Sequence, residues 1–408
     1  KLPNPGLRAY FSRVEKGDCR VVQTPLGKRI GAEKMLSEWM PHLDKLNAKW
    51  PSLVKFEKDL AAKVGPLSVM KPLNDRLSSI VDYYTYGNAA GNPVDTAAIA
   101  AVIKEFSRIG GLRLRSQRKC IDAMPLNTNS GLPYFTKRRN VIDETWPVDI
   151  RDSSQFLGRR RVRWLIEAIL GWRGQEGGPL PDDVKQRVVW MFPFGVNIAE
   201  AQVYQPLIEA CQRALLVPAW VSMDAVDERI TQIFATKGTA DDIVCTDFTT
   251  FDAHFNTPMQ EAAKQILAAL LTEGDDANEW LRQVFGVKYN IPLCVSEGDI
   301  FTGHHGMASG SGGTNADETL AHRALQHEAA IASGETLNPN SMCLGDDGLL
   351  TYPGINVEDV ISTYRQHGLE MNATKQYVSK DDCVYLRRWH HKDYRMRGNV
   401  CVGVYSTC

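Results

Sequence analysis

Two adjacent aspartates, Asp346 and Asp347, stand in the run Cys343-Leu-Gly-Asp-Asp-Gly-Leu349, framed by glycines and by apolar residues on both sides. Met342 and Cys343 before the frame and Leu349 to Tyr352 after it have strand character, so the run predicts a tight hairpin that pushes two carboxylates out of a buried sheet. Glycines at both turn corners supply the positive φ such hairpins need. Like charges side by side at a buried turn repel and lose hydration. A divalent cation removes both objections, because Mg²⁺ prefers hard carboxylate oxygens. Ordinary surface turns are also rich in Asp and Gly, so a partner carboxylate decides the matter. Ile243-Val-Cys-Thr-Asp-Phe-Thr-Thr-Phe-Asp252 provides one: a short β-rich apolar run ends in Asp247, Asp252 follows five residues later, and helical character begins near Pro258. A carboxylate at the carboxyl end of a buried strand is placed to project into a cleft. Asp247 and Asp346 together then predict two bridging Mg²⁺ ions, about 3.5–4 Å apart, for in-line phosphoryl transfer.

Between these elements lies Gly306-Met-Ala-Ser-Gly-Ser-Gly-Gly-Thr-Asn315, a glycine-rich loop that opens a long apolar helix from about Asp317 to Ala332. Backbone amides of such a loop, with a helix amino terminus behind them, suit a phosphate or a nucleic-acid backbone. No Gly-Lys-Ser/Thr follows, and the Gly-x-Gly-x-x-Gly spacing is absent, so neither phosphate-loop pattern applies. A flexible hinge is the alternative reading of the same glycines.

In that order, Asp247-x4-Asp252, Ser309-Gly310-x3-Thr314 and Gly345-Asp346-Asp347 resemble the palm of viral RNA-dependent RNA polymerases. Asn127-Thr128-Asn129-Ser130-Gly131-Leu132-Pro133 is similar to the family's motif where template enters the fingers, and Lys185-Gln-Arg187-Val-Val-Trp-Met-Phe-Pro193 to its basic motif where nucleotides enter. Lys375, in a strand-like segment after a helix at 356–367, holds the place of the lysine proposed to protonate leaving pyrophosphate; Cys383 to His390, an alternating strand, resembles the primer-grip hairpin. Ser309-Gly-Ser-Gly-Gly-Thr-Asn315 with Glu318-Thr319 looks most like the picobirnaviruses, then the partitiviruses. The resemblance implies an α+β right-hand polymerase fold, with an antiparallel palm sheet flanked by helices and largely helical fingers. The implied domains are an N-terminal extension at 1–80, fingers at 81–195, palm at 196–260 and 303–382, a fingers insertion at 261–302, and the primer-grip hairpin with the start of a truncated thumb at 383–408. It also implies two metal ions (Mg²⁺, with Mn²⁺ as substitute) on Asp247, Asp346 and Asp347. Template and nascent RNA, ribonucleoside triphosphates and a viral capsid protein are the implied partners, inside a viral particle and in host cytoplasm.

Further roles follow from the same resemblance. Lys185, Arg187, Ser309 and Gly310 would bind nucleotide, Thr128 to Gly131 and Pro133 the template, and Lys375 would act as general acid. Asp252 would accept a hydrogen bond from the ribose 2′-hydroxyl, with Thr314 beside it. The family usually places Asn nine residues after the loop serine; here that position is Glu318, and Asn315 lies one helical turn earlier, so both remain candidates for the ribose partner. A reverse transcriptase would set a bulky aromatic where Asp252 stands. A palm-fold protein that binds RNA without catalysis is the other rival.

Composition agrees. The 408 residues, 43% of them apolar, exceed what one core needs. A formal net charge of −1 hides a basic stretch, residues 104–173, with 15 Lys/Arg against 7 Asp/Glu. Arg159-Arg160-Arg161-Val-Arg163 and Lys137-Arg138-Arg139 are its densest parts, fit for a phosphate path or a solvated face. Nine cysteines without a Cys-x-x-Cys pair argue for reduced, buried thiols rather than zinc. His304-His305 and His390-His391 point apart if they lie on strands, against a metal role. No apolar run reaches about 18 residues, so no membrane span is expected, and no signal peptide is visible at Lys1. The chain lacks an initiator Met and stops at Cys408, soon after the primer-grip-like strand, which suggests fingers and palm with little thumb. Helices are expected at Ala32–Leu46, Pro51–Val64, Thr96–Ile109 behind an Asp95 cap, 198–217 and 258–271; a strand at Val188–Phe194; a loop at Gly171–Pro181; and few strands before Arg163.

Overall fold

A computed structural model describes residues 4–19 and 23–408; the Lys1 terminus lies outside the described residues. Its centre is a four-stranded antiparallel sheet in the order Tyr377–Ser379, Ile243–Thr246, Asp347–Leu350, Met342–Leu344. Alternation sends the two faces of this sheet into different cores. Val244 and Leu350 join the main core, while Cys245, Met342 and Leu349 join a second one with Cys383 and Tyr385. Behind the first face the Thr314–Ala332, Thr257–Leu270 and Thr96–Phe106 helices pack on one another. Against the second lie the Met223–Thr236 helix and a small sheet of Asp382–Tyr385, Arg388–His391 and Val404–Tyr405.

Several expected elements form where local chemistry favours them. Asp95 Oδ1 accepts from Ala97 N at 2.8 Å and caps the Thr96–Phe106 helix, which continues as a 3₁₀ turn to Ile109. Pro51 opens a helix to Ala61, and Ala32 opens one to Asp44, each ending two or three residues before its expected limit. The long helix expected at 198–217 spans Phe194–Arg213, directly after Pro193 ends the preceding strand. That strand, Lys185–Met191, begins earlier than its apolar run because its basic half pairs with a partner strand. The helix expected at 258–271 is Thr257–Leu270, and it runs through the boundary expected at 260/261.

Three expectations are corrected. Gly171–Pro181 is not all loop: Ala168–Gln175 is a strand, antiparallel to Lys185–Met191 and parallel to Leu293–Cys294. Gly174 sits there because a Cβ would fall 1.9 Å from the Leu67 carbonyl, so glycine marks close backbone approach rather than a turn. The Arg-rich region holds a three-stranded sheet of Asp149–Arg151, Gln155–Leu157 and Arg163–Leu165. Cys383–His390 is a hairpin, not one strand; its turn residues Leu386 and Arg387 have φ of 53° and 58°, a conformation their types do not announce. The thiols are buried at Cys120, Cys211, Cys245, Cys343, Cys383 and Cys401, but Cys19 is exposed. Both histidine pairs diverge: His305 is buried against Trp190 while His304 meets Gln260, and His390 is buried on Asp227 while His391 meets Trp50.

The N-terminal helices strap the molecule. Tyr10 of the Pro5–Lys16 helix donates to the Leu170 carbonyl at 2.7 Å. Ser52 accepts from Trp389 Nε1 at 3.0 Å, and the buried Glu57 accepts from Ser406, Thr407 and Cys408. Among the described residues no helix is long and apolar enough to cross a membrane.

Glu105 ties the Thr96–Phe106 helix to the Thr314–Ala332 helix, accepting from Arg323 at 3.0 Å and from His327 Nε2 at 2.7 Å, while Arg323 also reaches the Ser341 carbonyl. Burial alone would raise its pKa; the charges and hydrogen bonds of Arg323 and His327 outweigh burial and hold it at about 2, below the ordinary 4.5. A depressed carboxyl contributes stability that is complete above pH 4.5 and lost as pH falls through about 2. Glu105→Gln is expected to lower stability at pH 7 by on the order of 2 kcal/mol and to flatten the acid limb, checked by denaturant unfolding from pH 7 to pH 2.

Candidate active site

Asp247 is the first residue beyond its strand, and the pairing of Thr246 with Gly348 places it beside the turn that carries Asp346. Gln376 fixes its peptide from both sides, accepting from Asp247 N at 2.8 Å and donating to the Asp247 carbonyl at 2.8 Å. Leu344 pairs with Asp347, so the hairpin turn is Gly345-Asp346 alone, with Gly345 at φ +58°. Only this first glycine supplies a positive φ. Gly348 is needed for space, since a Cβ there would fall 2.6 Å from His322 Cε1. The Thr314–Ala332 helix clasps the turn on both sides: Gly345 N donates to Thr319 Oγ1 at 2.9 Å, and His322 Nδ1 donates to the Gly345 carbonyl at 2.8 Å. Burial lowers the His322 pKa to about 4, so the ring is neutral.

The two aspartates of the turn have different surroundings. Asp346 opens to the cleft; enclosure raises its pKa, with Asp247 adding to the rise and Arg187 opposing it. Asp347 points back into the fold, where its Oδ2 accepts from Leu386 N at 2.7 Å, and burial raises it to about 7. Asp347, expected as a third metal ligand, is thus engaged with the neighbouring hairpin. Asp247 and Asp346 are hard oxygen donors whose repulsion and desolvation a divalent ion would relieve. Among the described residues no three His, Cys, Asp or Glu side chains converge as a ready-made cage.

The two residues left open as ribose partners have different surroundings. Glu318 is buried beside Asp252, and desolvation together with the Asp252 charge pushes its carboxyl well above the usual range. Asn315 turns away, its Oδ1 accepting from Trp220 Nε1 at 2.7 Å. Thr314 does not reach Asp252, since its hydroxyl donates to the Ala308 carbonyl at 3.4 Å. Lys185 and Arg187 alternate outward along their strand, and the Arg187 charge acts on Asp252 and Asp346, which brings the basic motif to the carboxylates.

The glycine-rich loop is fixed rather than hinged. Ser309 Oγ donates to the Val188 carbonyl at 3.1 Å, and its own carbonyl accepts from Trp190 N at 2.8 Å. Gly310 has φ +123°, and a Cβ would fall 2.0 Å from the Trp190 carbonyl. In the segment expected to meet template, Thr128 and Asn129 are exposed, whereas Ser130 and Gly131 are buried against Phe192 and Phe194. Pro133, after a cis peptide bond, is half-buried. Lys375 lies in a 3₁₀ turn, Ala373–Lys375, and not in the strand, which begins at Tyr377; it is exposed and next to Gln376. Gln376, His322, Thr319 and Glu200, whose carboxylate receives the Gly312 amide at 3.1 Å, are site residues that the motifs did not single out. Only their helix spacing could have marked Thr319 and His322, which follow Asn315 and Glu318 on one face.

A carboxylate pair at the end of a palm sheet, an arginine facing it and a glycine-rich loop opening a buried helix define a palm-fold nucleotidyltransferase. The chain belongs to the viral RNA-dependent RNA polymerases, whose family model matches residues 111–400. It is 57% identical, over all 408 of its residues and 76% of the relative, to a protein of a human picobirnavirus (strain Human/Thailand/Hy005102/-) described as a potential RNA-dependent RNA polymerase. Crystal structures of the RNA-dependent RNA polymerase of a human picobirnavirus, and of its insertion loop deletion mutant, each match at a TM-score of 0.97 and 57% identity. They cover 100% of this chain and 78% and 80% of theirs. The Sicinivirus 3Dpol structure shares the fold, at a TM-score of 0.56 and 16% identity over 80% of this chain and 74% of its own. The right-hand polymerase fold is thereby established.

Gln376→Leu removes both bonds that hold the Asp247 peptide without adding charge. It is expected to weaken the apparent Mg²⁺ affinity about 10–100-fold while leaving the thermal midpoint nearly unchanged, as read by Mg²⁺ titration of nucleotide incorporation beside thermal unfolding.

Proposed function

We propose that this polymerase replicates and transcribes a double-stranded RNA genome with Asp247 and Asp346 as its metal-holding pair. The observation that carries the reading is the meeting of these two carboxylates with Arg187 and Asp252 at one end of the sheet. Two bound Mg²⁺ ions would lower the pKa of the RNA 3′-hydroxyl and neutralise the β and γ phosphates. The 3′-oxygen would bond to the α-phosphorus as its proton passes to solvent water, and the bond from the α-phosphorus to the oxygen bridging to the β-phosphate would break, releasing pyrophosphate.

The chain's own residues hold the reactants for that exchange. Asp247 and Asp346 keep their carboxylates at the turn because Gln376, Thr319 and His322 fix the backbone beneath them. Arg187, with Lys185 two residues along the strand, meets triphosphate oxygens, where a planar guanidinium binds in bidentate fashion. The Asp252–Glu318 pair accepts from the ribose 2′-hydroxyl, a contact a deoxyribonucleotide does not offer. Exposed Lys375 delivers a proton to the departing pyrophosphate. Asp347 keeps the primer-grip hairpin against the turn through Leu386. Thr128 and Asn129 meet template, while Ser309 and Gly310 set the loop beside nucleotide. A capsid protein as partner, and action within the particle and in host cytoplasm, complete the proposal by likeness to picobirnaviruses.

Primer extension with Mg²⁺ and separate ribo- and deoxyribonucleotide pools tests this reading. Asp346→Asn is expected to lose incorporation by about 10³-fold or more at unchanged fold, and incorporation equal to the parent would overturn the assignment. Asp252→Ala is expected to reduce preference for ribo- over deoxyribonucleotides by about 10-fold or more, since an unread hydroxyl no longer discriminates.

A further inference from the structure

Glu200, in the middle of the Phe194–Arg213 helix, is only 1% exposed, and it lies beneath the glycine-rich loop without a step of its own in the reaction proposed above. Its two oxygens collect donors from separate parts of the fold. Oε1 accepts from Gly312 N at 3.1 Å and from Asn197 Nδ2 at 3.0 Å, and Oε2 accepts from the Ser311 hydroxyl. Ser311 Oγ in turn accepts from Gly313 N at 3.0 Å. The next residues are as firmly held: a Cβ on Gly313 would fall 2.3 Å from the Tyr204 ring, and Asp317 is paired with Lys288 at 2.9 Å, both wholly buried. The far half of the glycine-rich loop therefore rests on one buried carboxylate.

That carboxylate is also linked outward. Asn197 Oδ1 accepts from Arg138 Nη2 at 2.8 Å, and the guanidinium lies 5.3 Å from the Phe194 ring. Arg138 belongs to the basic Lys137-Arg138-Arg139 run, and its backbone N donates to the Thr128 carbonyl at 3.0 Å, in the segment assigned to template. Its Nη1 makes only a long bond to the Pro125 carbonyl, at 3.5 Å, and its Nε is buried without a partner, so the guanidinium is held to the relay by Nη2 alone and is incompletely satisfied. Arg138, Asn197, Glu200 and Ser311 thus form an unbroken hydrogen-bonded path from the template segment to the loop.

We propose that Glu200 is a positioning residue that couples the template segment to the glycine-rich loop through Asn197 and Arg138. A phosphate of single-stranded RNA competing for the Arg138 guanidinium loosens its bond to Asn197, which frees Asn197 and Glu200 to change their grip on Ser311 and Gly312. The loop that flanks the nucleotide is thereby made responsive to template. The consequence for catalysis rests on the reading of the loop as a nucleotide-side element; the coupling itself does not.

Hydrogen exchange of the Gly312 and Gly313 amides in the full chain reads the coupling without any reaction. Arg138→Met touches no loop atom, yet it is expected to speed exchange at these amides about 10-fold, and Asn197→Ala to do the same, with thermal midpoints close to the parent. Oligouridylate is expected to speed the same amides in the parent and to have no effect in Asn197→Ala. Glu200→Gln keeps the acceptor shape should Glu200→Ala fail to fold, and is expected to raise the nucleotide KM several-fold with kcat within about twofold. Exchange at the two glycines that is unmoved by Arg138→Met and by oligouridylate overturns the coupling. A loss of incorporation with the exchange pattern intact would instead sink only the catalytic reading of the loop.

Discussion

Everything in the cleft depends on holding two like-charged carboxylates together at the end of an antiparallel sheet. Left to themselves, Asp247 and Asp346 would separate, because proximity and partial burial both penalise a second negative charge. Strand register prevents it. Pairing of Thr246 with Gly348 is fixed by side chains committed to two different cores, so a slip of one residue would send each apolar side chain to the wrong face. The strain of the charge pair is thus set against the burial of a whole sheet, and the pair stays available for a cation.

The Thr314–Ala332 helix translates that constraint into a site. One face presents Glu318, Thr319 and His322, which meet Asp252, the Gly345 amide and the Gly345 carbonyl in turn. The helix is itself anchored near its start and at its middle. Asp317 near its start is neutralised by Lys288 and accepts from the Tyr204 and Tyr289 hydroxyls at 2.7 and 2.6 Å, and Arg323 further along is bound by Glu105. Charges buried this deeply contribute little net stability, but removing either partner leaves an unpaired charge, so they fix one arrangement and exclude neighbours of it. A helix so restrained can hold a hairpin turn to the fraction of an ångström that metal-assisted chemistry asks for.

The adjacent aspartates illustrate how tertiary contacts divide residues of identical type. In sequence, Asp346 and Asp347 are adjacent residues of one type, with Asp346 the favoured metal ligand and Asp347 the less certain one. In the fold, successive residues leave the hairpin in different directions, and Leu386 N lies where Asp347 arrives. The turn that brings Leu386 there carries two non-glycine residues in left-handed conformation, a cost of roughly 1–2 kcal/mol each that surrounding contacts must outweigh. Arg387 in the same turn pairs with Glu176 at 2.8 Å, joining this hairpin to the segment that connects the strands Ala168–Gln175 and Lys185–Met191.

Residue types and their spacing by themselves determined which positions are candidates for the chemistry. Asp247, Asp252, Asp346, Ser309-Gly310 and the Lys185/Arg187 pair were legible as candidates because they sit in short, ordered runs whose local backbone is set by neighbours. Helices with their own caps, such as Asp95 before Thr96–Phe106, were legible for the same reason. Glycines were read less well. Gly174 and Gly348 look like turn residues, yet each is there because another chain segment approaches too closely for a Cβ, and no local pattern announces a distant neighbour. The placing of Glu318 beside Asp252 and of Asn315 on Trp220, the bond from Leu386 to Asp347, and the contacts of Gln376 and Glu200 were decided only in three dimensions. Each depends on a contact between residues far apart in the chain, and hydrogen bonds or burial between such residues leave no period or spacing in the sequence.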